Sequence, residues 1–223
     1  MKPVLICFAL FFSALSFSAH ANQDCYFKAT EKLDNIIYLA EGFNGSLKLL
    51  NNFNQKTREA LQFSLVLASG NTPPNDYMMS MVNDANMMFN GLSQRADTNS
   101  SLSGYINFSK LKNEFNACLS EEVKLRCPQT ISSFNYKITS LVSNQDEANR
   151  QNALLADVKN QVFSVLKSDY ENKIVMTPEK IYNFTQNLQQ PYMRYKMSLE
   201  GAQGDAALLA SIIENELPSC LLR

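Results

Sequence analysis

Two pairs of cysteines at one spacing limit this chain more than anything else in it. Cys25 and Cys118 lie 93 residues apart, and Cys127 and Cys220 are separated by the same 93. The second cysteine of each pair sits in a recurring stretch. Asn113-Glu114-Phe115-Asn116-Ala117-Cys118-Leu119 returns as Asn215-Glu216-Leu217-Pro218-Ser219-Cys220-Leu221, with Leu111 and Ser109 matched by Ile213 and Ser211 upstream. The pattern reads as two copies of one unit, each opened and closed by a cysteine. The expected bridges are Cys25–Cys118 and Cys127–Cys220, one of the three pairings that four cysteines allow. In the chain-entropy model, closing loops this long contributes about 4–5 kcal/mol per bridge.

The compartment follows from the first residues. Lys2 precedes an apolar run from Val4 to Phe17, which gives way to Ser18-Ala19-His20-Ala21. A basic start, a short apolar core and small residues before a cleavage point make a secretory signal peptide over 1–21. The mature chain is expected to begin at Asn22 and to lose Cys7 and the single histidine, His20. The surviving even set of cysteines then suits an oxidising, periplasmic or secreted location. The mature charge is −2, from 19 basic residues (20 less Lys2) and 21 acidic. No later apolar run suits a membrane span, and no basic stripe suits a phosphate backbone.

Apolar residues recur at helical spacing through both halves. Tyr26, Ala29, Leu33, Ile36 and Ala40 mark a first helix over 24–41, which Gly42 and Gly45 are expected to interrupt. A second covers 46–69 and stops at Gly70-Asn71-Thr72-Pro73-Pro74. A third spans 75–94, a polar loop follows over Asp97–Ser103, and a fourth spans 104–119. In the second half Pro128 opens a helix, Asn144–Asn149 matches the glycine break, and Thr177-Pro178 mirrors Thr72-Pro73 as cap and first helical position. A turn is expected at Pro191 and a last helix over 205–217. No stretch alternates as a strand would. The expected fold is all-α: two tandem, diverged helical bundles, each of four helices closed by one disulfide, over 22–119 and 127–223 with a connector at 120–126. Joining the first two helices of a unit into one long rod would pair the same cysteines.

Without histidine the mature chain has no Ser-His-Asp or Cys-His pair and no histidine metal site. No C-x-x-C redox pair or cofactor loop is present, and no cofactor is expected. Glu114 and Glu216 recur in the closing motif, where a shared structural contact is the simpler reading; a carboxylate hydrolase is the third-ranked function. The segment Tyr77 to Phe89 holds five of the nine methionines. Met78, Met81 and Met88 share a face with Val82, Ala85 and Phe89 and are expected in the core. A carrier holding an apolar molecule or Cu(I) in a bundle lined by Met78, Met81, Met88 and Phe89 is the alternative.

The first expectation is an exported, non-enzymatic helical protein that binds another macromolecule, as an inhibitor, immunity or assembly factor. Catalysis near neutral pH generally uses a group that exchanges protons there, and this sequence has no untuned candidate. Exposed methionine and aromatic anchors are the expected contacts: Met79 and Met87 off the core face of the third helix, and Tyr192, Met193 and Tyr195 beside Arg194 and Lys196.

Overall fold

The computed structural model describes residues 23–222. The expected signal segment and mature start, with Cys7 and His20, lie outside them. The described residues are almost wholly helical and include no strand. Helical residues 23–30 (α1) precede α2 (Leu33–Ser69), α3 (Asp76–Ile106), α4 (Phe108–Cys118), α5 (Glu121–Arg126), α6 (Pro128–Glu171) and α7 (Pro178–Ser211). A π-helical turn over Ile212–Glu216 leads into α8 (Leu217–Leu221). Both expected disulfides are present, Cys25–Cys118 and Cys127–Cys220, with Cα atoms 5.6 and 5.9 Å apart.

Several expected breaks are absent. α2 runs through Gly42 and Gly45, and α6 runs through Asn144–Asn149. The glycines are there because a neighbour comes close. A Cβ on Gly42 would stand 2.2 Å from Asn99 Oδ1, and one on Gly45 2.6 Å from Arg95 Nη1. The polar stretch Asp97–Ser103 is helical within α3, and the break falls instead at Asn107, whose φ of 53° is left-handed and whose side chain accepts from the Lys110 N–H at 3.1 Å. Pro191 lies inside α7, not at a turn, and the last helical stretch is continuous with α7 to Ser211. The first half still holds four helices, α1–α4, with other bounds than expected, and the second holds three, α6–α8, with the π-helical turn between the last two.

The turns after α2 and α6 are built alike. At the end of α2, Asn71 takes φ 51°, its N–H donates to Ala68 O, and the Thr72 N–H donates to Leu67 O. At the end of α6, Lys173 takes φ 54°, its N–H donates to Tyr170 O, and the Ile174 N–H donates to Asp169 O. This crossed pair of bonds around a left-handed residue ends a helix by satisfying its last carbonyls. The next helices are capped alike too: Asn75 Oδ1 accepts from the Met78 N–H at 3.0 Å, and Thr177 Oγ1 from the Lys180 N–H at 3.2 Å. The counterpart of Thr177 is thus Asn75 and not Thr72, whose hydroxyl instead donates to the Gly70 carbonyl. Every one of these positions recurs at one offset, 102 residues (171 less 69, 178 less 76), which is also the offset from Cys25 to Cys127.

The chain divides into two compact units, and neither coincides with the sequence halves 22–119 and 127–223. Unit 1 takes the described residues up to Ala40, then Leu102–Val142, and those from Gln203 on; unit 2 takes Glu41–Ser101 and Ser143–Ala202. Unit 1 holds both disulfides. The rings of Phe115 and Phe134 lie 4.2 Å apart there, and the amides of Asn116 and Asn135 bond reciprocally at 2.7 and 2.8 Å. Its buried Asp205 is paired with Lys137 at 2.8 Å. Unit 2 is a bundle of the α2, α3, α6 and α7 segments around Phe53, Phe89, Leu155 and Leu166.

Candidate functional site

In unit 2, α2 runs antiparallel to α3, with Asn99 bonded to Ser46, Phe53 against Phe89, and Ser64 donating to the Met78 sulfur at 3.0 Å. α6 and α7 meet at Asn144 with Gly201 and at Asp169 with Lys180, 2.6 Å apart. Two further seams close the bundle, α3 against α6 and α2 against α7. At the 102-residue offset, α2 corresponds to α6 and α3 to α7, so these seams occupy corresponding positions.

The α3–α6 seam is filled from within. Lys159, only 6 % exposed, donates from Nζ to Asn86 Oδ1 at 2.7 Å, with its ammonium 4.9 Å from the Phe89 ring centroid and 5.8 Å from that of Phe163. Burial holds its pKa below the usual lysine value. Tyr170 donates to the Asp76 carboxylate, which lifts the phenol's pKa, and Ser100 bonds Asn149 at 3.2 Å. The side chain of Gln145 donates to the Asn99 carbonyl at 3.4 Å.

The α2–α7 seam carries one hydrogen bond among the described residues, from the Tyr192 hydroxyl to Asn51 Oδ1 at 3.0 Å. Two clefts in line open the rest of it. The first, of about 200 Å³, is lined by Asn54, Thr57, Arg58 and Leu61 of α2 and by Thr185, Leu188, Gln189, Tyr192 and Met193 of α7. The second, of about 190 Å³, shares Arg58, Leu61 and Thr185 and continues between Gln62, Leu65, Pro178, Ile181 and Tyr182.

The offset explains the space. The place of Lys159 (159 less 102) is taken by Thr57, that of Phe163 by Leu61, that of Asn86 by Leu188 and that of Phe89 by Pro191. A long side chain and two rings are replaced by shorter groups, and a gap remains. Thr57 is 4 % exposed, and its hydroxyl has no hydrogen-bond partner among the described residues. Leaving a buried hydroxyl unpaired is costly. No acid lines either cleft. Arg58 is the one charged residue in both linings, and it forms no ion pair among the described residues.

Of the contact residues expected from sequence, Tyr192 and Met193 come together on this cleft. Met197, one turn further along α7, is 65 % exposed. Tyr195 is 1 % exposed and belongs to the core, where burial pushes its hydroxyl pKa far above the phenol range. The sequence groups it with Tyr192 and Met193 as a stretch after a turn at Pro191, but α7 is continuous there, and two residues of helix rotate Tyr195 about 200° from Met193 onto the buried face of Leu188, Leu199 and Ala202. Met87 is 61 % exposed and Met79 half-buried; both lie on α3, and neither lines the clefts. Met78 is fully buried and packs as expected, while Met81 and Met88 are half-buried. Glu114 and Glu216 are exposed.

Sequence reasoning placed almost no acids or bases on the inner faces. The structure buries Lys159, Asp169 and Asp205, each with a bonded partner. Thr57, Arg58 and Gln189 were missed altogether, since a threonine and an arginine on a long polar helix carry no local signal. In unit 1 another hollow lies among Lys28, Glu31, Lys32, Tyr105, Lys110 and Glu114, and four of its five charged residues pair with each other, Lys32 with Glu31 and Lys110 with Glu114.

No helix among the described residues is long and apolar enough to cross a membrane. The chain matches no known protein family, and neither curated proteins nor solved structures show significant similarity to it.

Proposed function

We propose that this is an exported, non-enzymatic protein that acts by binding another protein through the α2–α7 face of unit 2. The observation that carries the reading is the unfilled seam. Two clefts lie end to end between the same two helices, Leu65, Tyr182 and Met193 stand exposed along them, and Met197 stands exposed one turn of α7 beyond Met193. A groove between two helices, flanked by apolar side chains, suits an amphipathic helix of a partner. Methionine and tyrosine supply adaptable, large contacts in such surfaces. Two disulfides fit an oxidising compartment, periplasmic or secreted.

The chain is also read as a diverged duplication with a 102-residue offset, giving two tandem repeats. Matching cysteines, helix boundaries, left-handed turn residues and caps support it. After duplication, one copy of the seam was filled by its own side chains and the other was left for a partner.

A photo-reactive residue placed at Met193, with Met87 as the control position, tests the function in the producing organism. Protein adducts are expected from 193 and few from 87. Full biological activity in a correctly folded Tyr182→Ser/Met193→Ser/Met197→Ser variant would overturn the assignment. The carrier alternative is favoured by the same recess if it takes a small molecule in preference to a protein segment.

A further inference from the structure

We infer that the partner fills the Thr57–Arg58 recess with an acidic side chain, a glutamate on a docked helix. This rests on the α2–α7 face being a protein-binding surface and adds the chemistry that the partner must bring. Three observations converge on one place. Thr57 lines the recess, is 4 % exposed, and its hydroxyl has no hydrogen-bond partner among the described residues. The Arg58 guanidinium lines the same recess without an ion pair among the described residues. No aspartate or glutamate is present in the lining of either cleft. Thr57 and Arg58, in a space that Asn54, Thr185 and Tyr192 also line beside Leu61, Leu188 and Met193, make a donor set for a carboxylate, which arginine can hold through two parallel bonds. Gln189 offers a further amide at the rim.

The size of the missing group can be read from the corresponding seam. There the matching space is filled by the aliphatic stem and polar head of Lys159. A glutamate reaching in from a helix laid across the groove is of similar reach. Its charge is opposite because Arg58, which stands where α6 has Asn160 (160 less 102), makes this recess positive. The second cleft, walled by Leu65, Ile181 and Tyr182, begins at Arg58 beside Thr57 and ends at Leu65, about two turns of α2 beyond it. The partner helix therefore carries an apolar residue one or two turns from its acid. A protein segment is favoured over a free small carboxylate because the exposed apolar groups extend past the recess to Leu65 and Met197, more surface than a small molecule would cover.

The test is selection of helical peptides from a randomised display library on the oxidised full chain, followed by titration of the selected peptides. Peptides with an acid at one fixed position and an apolar residue one or two turns away are expected. Arg58→Gln in the protein, or Glu→Gln in the peptide, should each weaken binding about tenfold, the scale of one lost charge-assisted pair. Combining the two should add little, the signature of a direct contact. Thr57→Lys, which imitates Lys159, should block the recess. Thr57→Val removes only the hydroxyl, keeps the fold and should weaken binding by a smaller factor.

Peptides that lose binding in Met193→Ser/Met197→Ser but show no fixed acid, or ignore Arg58→Gln, would overturn the glutamate and leave the surface standing. Failure to select any peptide sensitive to changes on the seam would overturn both. If sodium decanoate occupies the recess more tightly than every selected peptide, the occupant is a small carboxylate and the protein partner is overturned.

Discussion

The two cross-seams of unit 2 are built from corresponding helices and end differently. Between α3 and α6, Lys159, Phe163, Phe89 and Asn86 interlock. Between α2 and α7, Thr57, Leu61, Pro191 and Leu188 hold the matching positions, and two clefts result. At these four positions the two seams differ in side-chain volume and polarity. Four positions suffice to turn an internal contact into a surface with an unpaired hydroxyl and a lone cation. Pro191 adds to the contrast, because a helix-interior proline removes one backbone hydrogen bond and crowds the preceding turn.

The comparison breaks most visibly under truncation of the aromatic filling. Phe163→Ala should cost about 3–5 kcal/mol in chemical denaturation of the oxidised protein. Its counterpart Leu61→Ala should cost about 2 kcal/mol, the low end for leucine, because it already borders open space. Equal losses would mean that the seams are energetically alike.

Lys159→Ala should cost about 2 kcal/mol by opening the filled seam and leaving Asn86 unpaired. The same residue gives a pH signature. Its folded pKa is lowered by burial, so the unfolded chain binds the extra proton between that lowered value and about 10.4, the ordinary lysine range. Wild-type stability measured against Lys159→Met should therefore rise with pH across that window, and the penalty of burying the charge should persist in full below it. A flat difference would show that the ammonium is not penalised.

Thr57→Val should act in the opposite direction. Replacing an unpaired buried hydroxyl with a methyl of similar shape is expected to raise the stability of the unliganded protein by about 1 kcal/mol. A loss of stability would mean that the hydroxyl is already satisfied and the recess is not waiting for a donor's partner. The smallest effect tests the offset itself. Lys173→Gly should stabilise by about 1 kcal/mol, since a side chain at positive φ is strained. Asn71→Gly should gain only a few tenths of that, about 0.3 kcal/mol, because asparagine tolerates the conformation.

The sequence made the cysteine pairing legible, because equal spacing in a helical chain is a long-range constraint written in one residue type. It also made the Gly70–Pro74 turn legible, since turn chemistry is local. The misread breaks share one cause. Glycine at 42 and 45 and the Asn/Ser-rich stretch over 97–103 weaken a helix in isolation. In the folded protein Gly42 makes room for Asn99, and Asn99 and Ser100 bond Ser46 and Asn149 on other helices. Tertiary contact overrides propensity there. Of the candidate site, Tyr192 and Met193 were readable as anchors near a proline. Thr57 and Arg58 were not, because their meaning depends on what faces them across the bundle and on the comparison with Lys159 and Asn160.

The glycine–asparagine contact bears on which substitutions the chain tolerates. Gly42 faces Asn99, and at the 102-residue offset Asn144 faces Gly201, where a Cβ would stand 2.8 Å from Asn144 Nδ2. The same lock is made twice with the bulky and the empty partner exchanged. A single substitution at either site collides or leaves a hole, so the two arrangements are separated by a two-step path through a less fit intermediate. Descendants of such a chain should vary at 42 and 99 together, and at 144 and 201 together, with an enlargement on one side matched by a reduction on the other. These coupled pairs would show whether the two contacts change independently of each other.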